Sequence, residues 1–234
     1  MTLSREEIQE LNDKADAHLL KRKRKKTLRI LAWLGFSGIV VLLDQLSKWG
    51  VTEYMIRPRI FGDTQGSLDF LSWYADQPAR LPFAHIEVFD FFNFVMVWNT
   101  GVSFGMMAQA GPYAPYILVA LALGIAGLFT VWLVGARENI HRFCYALVIG
   151  GAIGNVIDRL RFKAVIDFLD FHLGSWHYPA FNVADSAVVL GVGGLIFALA
   201  ITDFKRKKEL KTRIKNRTEE RKRFLKRFGL YTKR

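Results

Sequence analysis

The sequence predicts a membrane protein with an all-α core: four transmembrane helices, a small extracytoplasmic element containing β-structure, and an outer loop or helix acting as a lid. Three observations predict it. The chain of 234 residues is 51% hydrophobic and yet carries 33 Lys+Arg against 21 Asp+Glu, a net charge of +12. A mean hydropathy of +0.16 is compatible with so much charge only if charged and apolar residues are segregated along the chain. They are: four apolar segments lie between two basic tails, and most of the positive charge falls on one side of the topology those segments define. The apolar content excludes an intrinsically disordered chain. Cys144, the single cysteine, excludes a disulfide scaffold and a cysteine-based zinc module.

In chain order, residues 1–29 form a polar, helix-prone cytoplasmic tail with an unbroken basic run over 21–26. A four-span domain over 30–203 follows, with spans expected at about 30–51, 113–134, 142–158 and 185–203. The first begins with 14 uncharged residues (30–43) before Asp44 and Lys48; the second has 22 (113–134), the third 15 (143–157) and the fourth 17 (186–202). Crossing the hydrocarbon takes about 20 mostly apolar residues. The second segment meets that outright, and the others do with one charged residue near an end. The first starts too late, and lacks the small-residue cleavage site, to be a removable signal peptide. Residues 204–234 form a second basic tail with amphipathic helical character.

With four spans, both tails and the 135–142 loop share a side, and that side holds 26 of the 33 basic residues. Such asymmetry places both termini in the cytoplasm. The tails are then explained as topology determinants and contacts to anionic lipid, and no nucleic-acid partner is expected. The outer side receives residues 52–112 and 158–184. Within the first, the β-branched and aromatic run over 85–99 predicts one or two strands, at the membrane surface rather than in lipid.

On this topology the polar residues converge. Asp44 lies at the outer end of span one, and Asn99 just before span two. Asn155, Asp158 and Arg159 close span three, Asp167 and Asp170 follow it, and Asn182 and Asp185 open span four. Ionisable groups at membrane depth are expensive and mark functional sites by default. Each also has a structural reading. Asn182 and Asp185 suit a helix start; Asp158 and Arg159 suit a local ion pair; Asp44, with Gln45, Ser47 and Lys48, suits interface anchoring. Gly150, Gly151 and Gly154 suit close helix packing. Asp167, an acid inside the apolar run Ala164-Val165-Ile166-Asp167-Phe168-Leu169, is the hardest to explain structurally. Two carboxyls in a poorly solvated site share a proton, so that one activates water while the other polarises a carbonyl. No zinc-protease His-Glu-x-x-His and no Gly-x-Ser-x-Gly elbow is present. His172 and His177 make a metal conceivable, with aromatic interfacial packing as the simpler reading.

Five ordered motifs resemble lipoprotein signal peptidase (signal peptidase II). They are Asp44-Gln45-Leu46-Ser47-Lys48, Asn99-Thr100-Gly101-Val102-Ser103-Phe104-Gly105, Gly154-Asn155-Val156-Ile157-Asp158-Arg159, Val165-Ile166-Asp167-Phe168 and Phe181-Asn182-Val183-Ala184-Asp185-Ser186. The resemblance spans about residues 30–203. It implies an aspartic endopeptidase of the bacterial inner membrane that cuts prolipoproteins just before a diacylglyceryl-modified cysteine. It implies Asp167 and Asp185 as the catalytic dyad. It further implies Asn155, Arg159 and Asn182 lining or supporting the site, Asp44 and Asn99 near the substrate, and Asp158 as support. No metal or organic cofactor is implied. The expected partners are the modified prolipoproteins and membrane lipids, with the enzyme acting as a monomer.

The sequence departs from that family at Ser47, where Thr is usual, at Trp98, where Glu is common, and at Lys163-Ala164, where Gly is usual. It also carries an extra outer stretch over about 57–82 and longer tails. The positive end of span four favours an ionised Asp185, which leaves Asp167 as the protonated member. The rival readings are a small transporter or lipid-binding scaffold, which would place polar groups at the midplane, and a presenilin-type protease, which would need Asp where Gly194 stands. A third reading is a catalytically dead relative acting as a binding protein, which the intact dyad disfavours.

Overall fold

The computed structural model describes residues 5–62, 66–101 and 108–227. The Val102–Gly105 part of the Asn99 motif therefore lies outside the described residues. Among the described residues, six α-helices and four strands follow in order: α1 (Arg5–Val51), α2 (Arg57–Phe61), α3 (Phe70–Ala75), β1 (His85–Phe89), β2 (Phe92–Asn99), α4 (Ala114–Gly135), α5 (Asn139–Phe162), β3 (Val165–Leu173), β4 (Trp176–His177) and α6 (Val183–Arg227). Among the described residues, four helical stretches are long and apolar enough to cross a membrane: Asp16–Phe61, Gly111–Gly135, Asn139–Phe162 and Val183–Phe224. The chain is a multi-pass membrane protein with an all-α core. It divides into two compact units, one ending at Val192 and the other beginning at Gly193.

The first helix does not stop where its apolar face ends. It passes through a π-helical turn, Thr52–Ile56, into α2, whose first turn contains Pro58. Wide turns of this kind are uncommon and recur at functional sites. Glu53, fully buried in the π turn, accepts from Arg57 (2.6 Å) and from the backbone N–H of Leu68 (3.0 Å), which folds the following loop back onto the helix. Asp69 then caps α3 by accepting from the N–H groups of Leu71 and Ser72 at 2.9 and 3.0 Å, an N-cap geometry that satisfies otherwise orphaned donors.

The outer stretch is thus a docked helical element. Trp73 of α3 is fully buried, and the Arg161 guanidinium lies 4.2 Å from its ring and donates to its carbonyl at 2.6 Å. Trp98 donates to the Leu81 carbonyl (2.8 Å), and Arg80 lies over its ring. The aromatic residue at this position therefore seats the extra stretch against the sheet. Trp73, Ile56, Leu81, Met96, Phe162, Ile166 and Phe168 form one core beneath the sheet.

The sheet has the order β1-β2-β3-β4 and is antiparallel throughout. The strands expected over 85–99 are β1 and β2. The longest strand, β3, was not expected, and it carries Asp167. Its residues Val165–Phe168 are all buried, so it lacks the alternation that marks a half-exposed strand. The helix α5 gives way to it through Lys163, a left-handed residue (φ 56°) whose N–H bonds back to the Arg159 carbonyl. Lys163 thus takes the left-handed conformation in which helices commonly end on a glycine.

The glycines of α5 pack as expected. A Cβ on Gly151 would collide with the Ala184 carbonyl of α6, and one on Gly150 would lie 2.6 Å from the Val40 Cβ of α1. The expected Asp158–Arg159 ion pair does not form: Asp158 pairs with Lys48 of α1 instead, at 2.7 Å. A carboxylate pointing into the helix interface meets a lysine from the facing helix, whereas Arg159, the next residue, faces another direction.

Candidate active site

The sheet and two helix ends bring the polar residues together. Asp167 lies opposite Val97 of β2, just beyond a register shift between Phe94 and Val97. Such irregularities re-aim side chains. Its carboxyl accepts from the Asn99 amide at 2.9 Å and from the Asn182 amide at 2.8 Å. Asp185, in the first turn of α6, accepts from the Asn155 amide at 2.8 Å and from the backbone N–H of Asn182 at 3.2 Å. The Asp185 N–H in turn donates to the Asn182 carbonyl oxygen of the side chain at 2.9 Å, a reciprocal capping arrangement at the helix start. Asn182 therefore touches both carboxyls while it caps the start of α6.

A second layer is ionic and sealed. Lys48 of α1 lies between Asp44 and Asp158, 2.7 Å from each, and all three are completely buried. Asp44 also accepts from the Ala184 N–H of α6 at 2.9 Å, and Asp158 accepts from the Ile166 N–H of β3 at 3.2 Å. These carboxylates pin the start of α6 and the start of β3, the two places that carry Asp185 and Asp167. Lys48 also reaches the Asn155 side-chain oxygen at 3.5 Å. Sequence reasoning did not assign Lys48 to the site. Its i,i+4 spacing from Asp44 was visible, but its partner Asp158 lies more than a hundred residues away.

Arg159 is part-buried and donates to the Asn155 carbonyl at 3.3 Å. It lines a cavity of about 250 Å³ between α4, α5 and α6 together with Asn155, Asp185, Ala122 and Val188. Asp167 lines another of about 400 Å³ with Val97, Asn99, Thr100 and Pro179. The two carboxyls thus stand at the rims of two cavities. Burial, then the negative charge of Asp185, push the Asp167 carboxyl up to about 7; the amides of Asn99 and Asn182 oppose the shift by favouring the ionised form. At neutral pH it is therefore poised between protonated and ionised.

His177 and His172 are elsewhere. His177 bonds the buried Asp170 at 2.9 Å, His172 stacks on His177, and Asn93 donates to Asp170 at 2.9 Å. Among the described residues no group of three or more His, Cys, Asp or Glu is arranged to hold a metal ion.

Two carboxyls held by amides, Asp167 buried on a strand and Asp185 part-buried at a helix start, thus stand together in a four-span chain. The family model described as signal peptidase (SPase) II matches residues 36–201. The lipoprotein signal peptidase of Janthinobacterium sp. (strain Marseille) is 36% identical over 173 residues, covering 73% of this chain and 89% of that one. That of Paraburkholderia phymatum is 41% identical over 167 residues, covering 70% and 85%. A bacterial membrane enzyme solved by the in meso method at 2.3 Å shares the fold, with a TM-score of 0.54 at 23% identity, over 76% of this chain and 92% of that one. The chain belongs to the signal peptidase II family.

Proposed function

We propose that this chain removes signal peptides from diacylglyceryl-modified prolipoproteins, with Asp167 and Asp185 as its catalytic pair. The observation that carries the assignment is Asn182, whose side chain bonds Asp167 and whose backbone and side chain bond Asp185. One residue therefore sets the relative placement of two carboxyls that are otherwise held only by neutral amides. Protonated Asp167 donates a hydrogen bond to the scissile carbonyl oxygen, and ionised Asp185 takes a proton from the attacking water. The oxygen of that water bonds to the carbonyl carbon as the Asp167 proton passes to the carbonyl oxygen, giving a tetrahedral diol. Collapse moves a proton to the amide nitrogen as the carbon–nitrogen bond breaks, and returns one proton to the pair.

The remaining residues support that pair. Asn99, Asn155 and Asn182 orient the carboxyls, Asp44 and Asp158 anchor the elements carrying them, and Arg159 faces the cavity beside Asp185. The enzyme works as a monomer in the bacterial inner membrane, with residues 30–203 as the peptidase domain, both basic tails cytoplasmic, and the site on the outer side. The asymmetry of basic residues supports the orientation. A lipid-modified substrate held in the outer leaflet presents its scissile bond near the surface, where such a site reaches it.

The test is cleavage of a diacylglyceryl-modified prolipoprotein peptide by the purified protein in detergent, beside Asp167→Asn and Asp185→Asn, with and without chelator. Cleavage before the modified cysteine that each substitution abolishes and chelator leaves intact is the expected result. Activity surviving either substitution removes that residue from catalysis.

A further inference from the structure

Asp170 lies three residues beyond Asp167 on β3, so the two carboxyls point to opposite faces of the sheet. Asp170 is buried and bonded from both sides of its strand. The Asn93 amide of β2 donates to it at 2.9 Å, and His177 Nδ1 of β4 lies 2.9 Å from each of its oxygens. Burial alone would raise this carboxyl, but the bonds from Asn93 and His177 outweigh it and hold the group below its ordinary value of 3.8. An ionised carboxylate only accepts, so Nδ1 of His177 carries the proton and donates.

Beyond His177 the chain runs back along β3 with one residue too many. The Tyr178 N–H donates to the Phe171 carbonyl at 2.8 Å, and the Phe181 N–H donates to the Leu169 carbonyl at 3.1 Å and its carbonyl accepts from Leu169 at 2.9 Å. Between those ties Pro179 and Ala180 stand opposite Asp170 alone, two residues against one, the count of a β-bulge. Pro179 has no N–H to give to the ladder. These same two residues line the cavity of Asp167, together with Val97 and Asn99. His177 pairs with His172, on the face of β3 that carries Asp170. The Asp170–His177 bond therefore fastens the bulge from the far side of the sheet.

We propose that Asp170 and His177 are positioning residues for peptide cleavage, fastening the Pro179–Ala180 wall so that the Asp167 cavity keeps the width that seats the substrate backbone beside its scissile bond. The inference rests on the peptidase reading. Neither residue touches the reacting atoms. Releasing the tie loosens the wall but leaves Asn99 and Asn182 on Asp167, so substrate binding weakens while the chemistry stays.

The test compares His177→Phe and His177→Asn with the wild type, each as the full chain in detergent. Phe keeps a ring to stack on His172, as the native imidazole does at 4.9 Å, but it has no donor. The Asn amide nitrogen stands near the place of Nδ1 and donates. Two readouts are taken: hydrogen exchange of the segment 176–182, and the kinetics of cleaving a diacylglyceryl-modified prolipoprotein peptide. His177→Phe exchanges faster at Tyr178 and Phe181 and raises KM about tenfold, the low end for one hydrogen bond to a charged group. Its kcat and pH profile are unchanged, the mark of lost uniform binding, which also shows that the variant folds. His177→Asn restores both exchange and KM. Unchanged exchange or KM in His177→Phe, a loss in kcat or a shifted pH profile instead, or a His177→Asn that behaves as His177→Phe overturns the proposal. A wild type that cleaves nothing overturns the peptidase reading itself, and the proposal falls with it.

Discussion

Asp44 and Asp158 share a lysine, whereas Asp167 and Asp185 share only amides. Asp44 lies on α1, Asp158 near the end of α5, Asp167 on β3 and Asp185 at the start of α6, and the two sets meet at Asn155, which touches Lys48 on one side and Asp185 on the other. In the first set a complete ion cluster is sealed from water, and its carboxylates act as fixed acceptors for the N–H groups of Ala184 and Ile166. In the second, no cation bonds either carboxyl among the described residues, and both line cavities. On the proposed function, the difference separates scaffold from chemistry. A lysine at 2.7 Å ties down each carboxylate of the first pair, whereas the carboxyls of the second are bonded only by neutral donors.

The sharpest way to break this comparison is to remove charge from each pair in turn. Asp167→Asn and Asp185→Asn are expected to lower the cleavage rate by at least about 10²–10⁴ without lowering the melting temperature, since each removes one of two like charges. Substitution in the other pair should do the reverse in stability. Lys48→Met leaves two buried carboxylates uncompensated, and breaking a buried pair from one side is destabilising by about 3–5 kcal/mol. Adding Asp158→Leu should recover part of that loss. Thermal unfolding of the single and double variants checks it; a Lys48→Met protein as stable as wild type would mean the cluster is not the scaffold.

Much of this was legible in the sequence, and what was not has identifiable causes. The spans show because charge is excluded from long runs such as 113–134, and the polar residues of the site show because they are the exceptions near those runs. The role of β3 did not show, since Val165–Phe168 are buried on both faces and read equally as a helix end or a strand. Lys48 did not show because a lysine at a helix's outer end usually reaches for headgroups; only the fold reveals Asp158 opposite it. The docking of α3 was equally hidden: nothing in the spacing of Trp73, Arg161 and Trp98 predicts that they interlock.

A smaller effect is expected where the scaffold is merely crowded. An added Cβ at Gly154 would lie 2.6 Å from the Asp44 carboxylate and 3.2 Å from the Ala184 Cβ. Gly154→Ala should therefore destabilise by about 1–3 kcal/mol through overpacking and lower activity only as far as the start of α6 shifts. A variant that keeps its stability but loses cleavage would make Gly154 part of the chemistry instead of its support.

The finest distinction between the two pairs lies in pH. Asp167 titrates at about 7 in the folded chain, against an ordinary value of 3.8, so folding favours its protonated form. Its contribution to stability is thus most favourable below about pH 4, where the carboxyl is protonated folded or unfolded, and is lost as pH rises toward 7. Cleavage that needs protonated Asp167 falls over the same approach, giving an alkaline limb near pH 7. The Asn99 amide opposes the shift by bonding the ionised form at 2.9 Å. Asn99→Ala should therefore move the alkaline limb upward by up to about one unit, even as it lowers the maximal rate. Asp158→Asn, acting within the lysine-bound cluster, should lower stability and rate while leaving the limb close to where it was. A pH–rate profile of the three proteins decides it. A limb that moves downward in Asn99→Ala would mean that Asp185, and not Asp167, carries the proton.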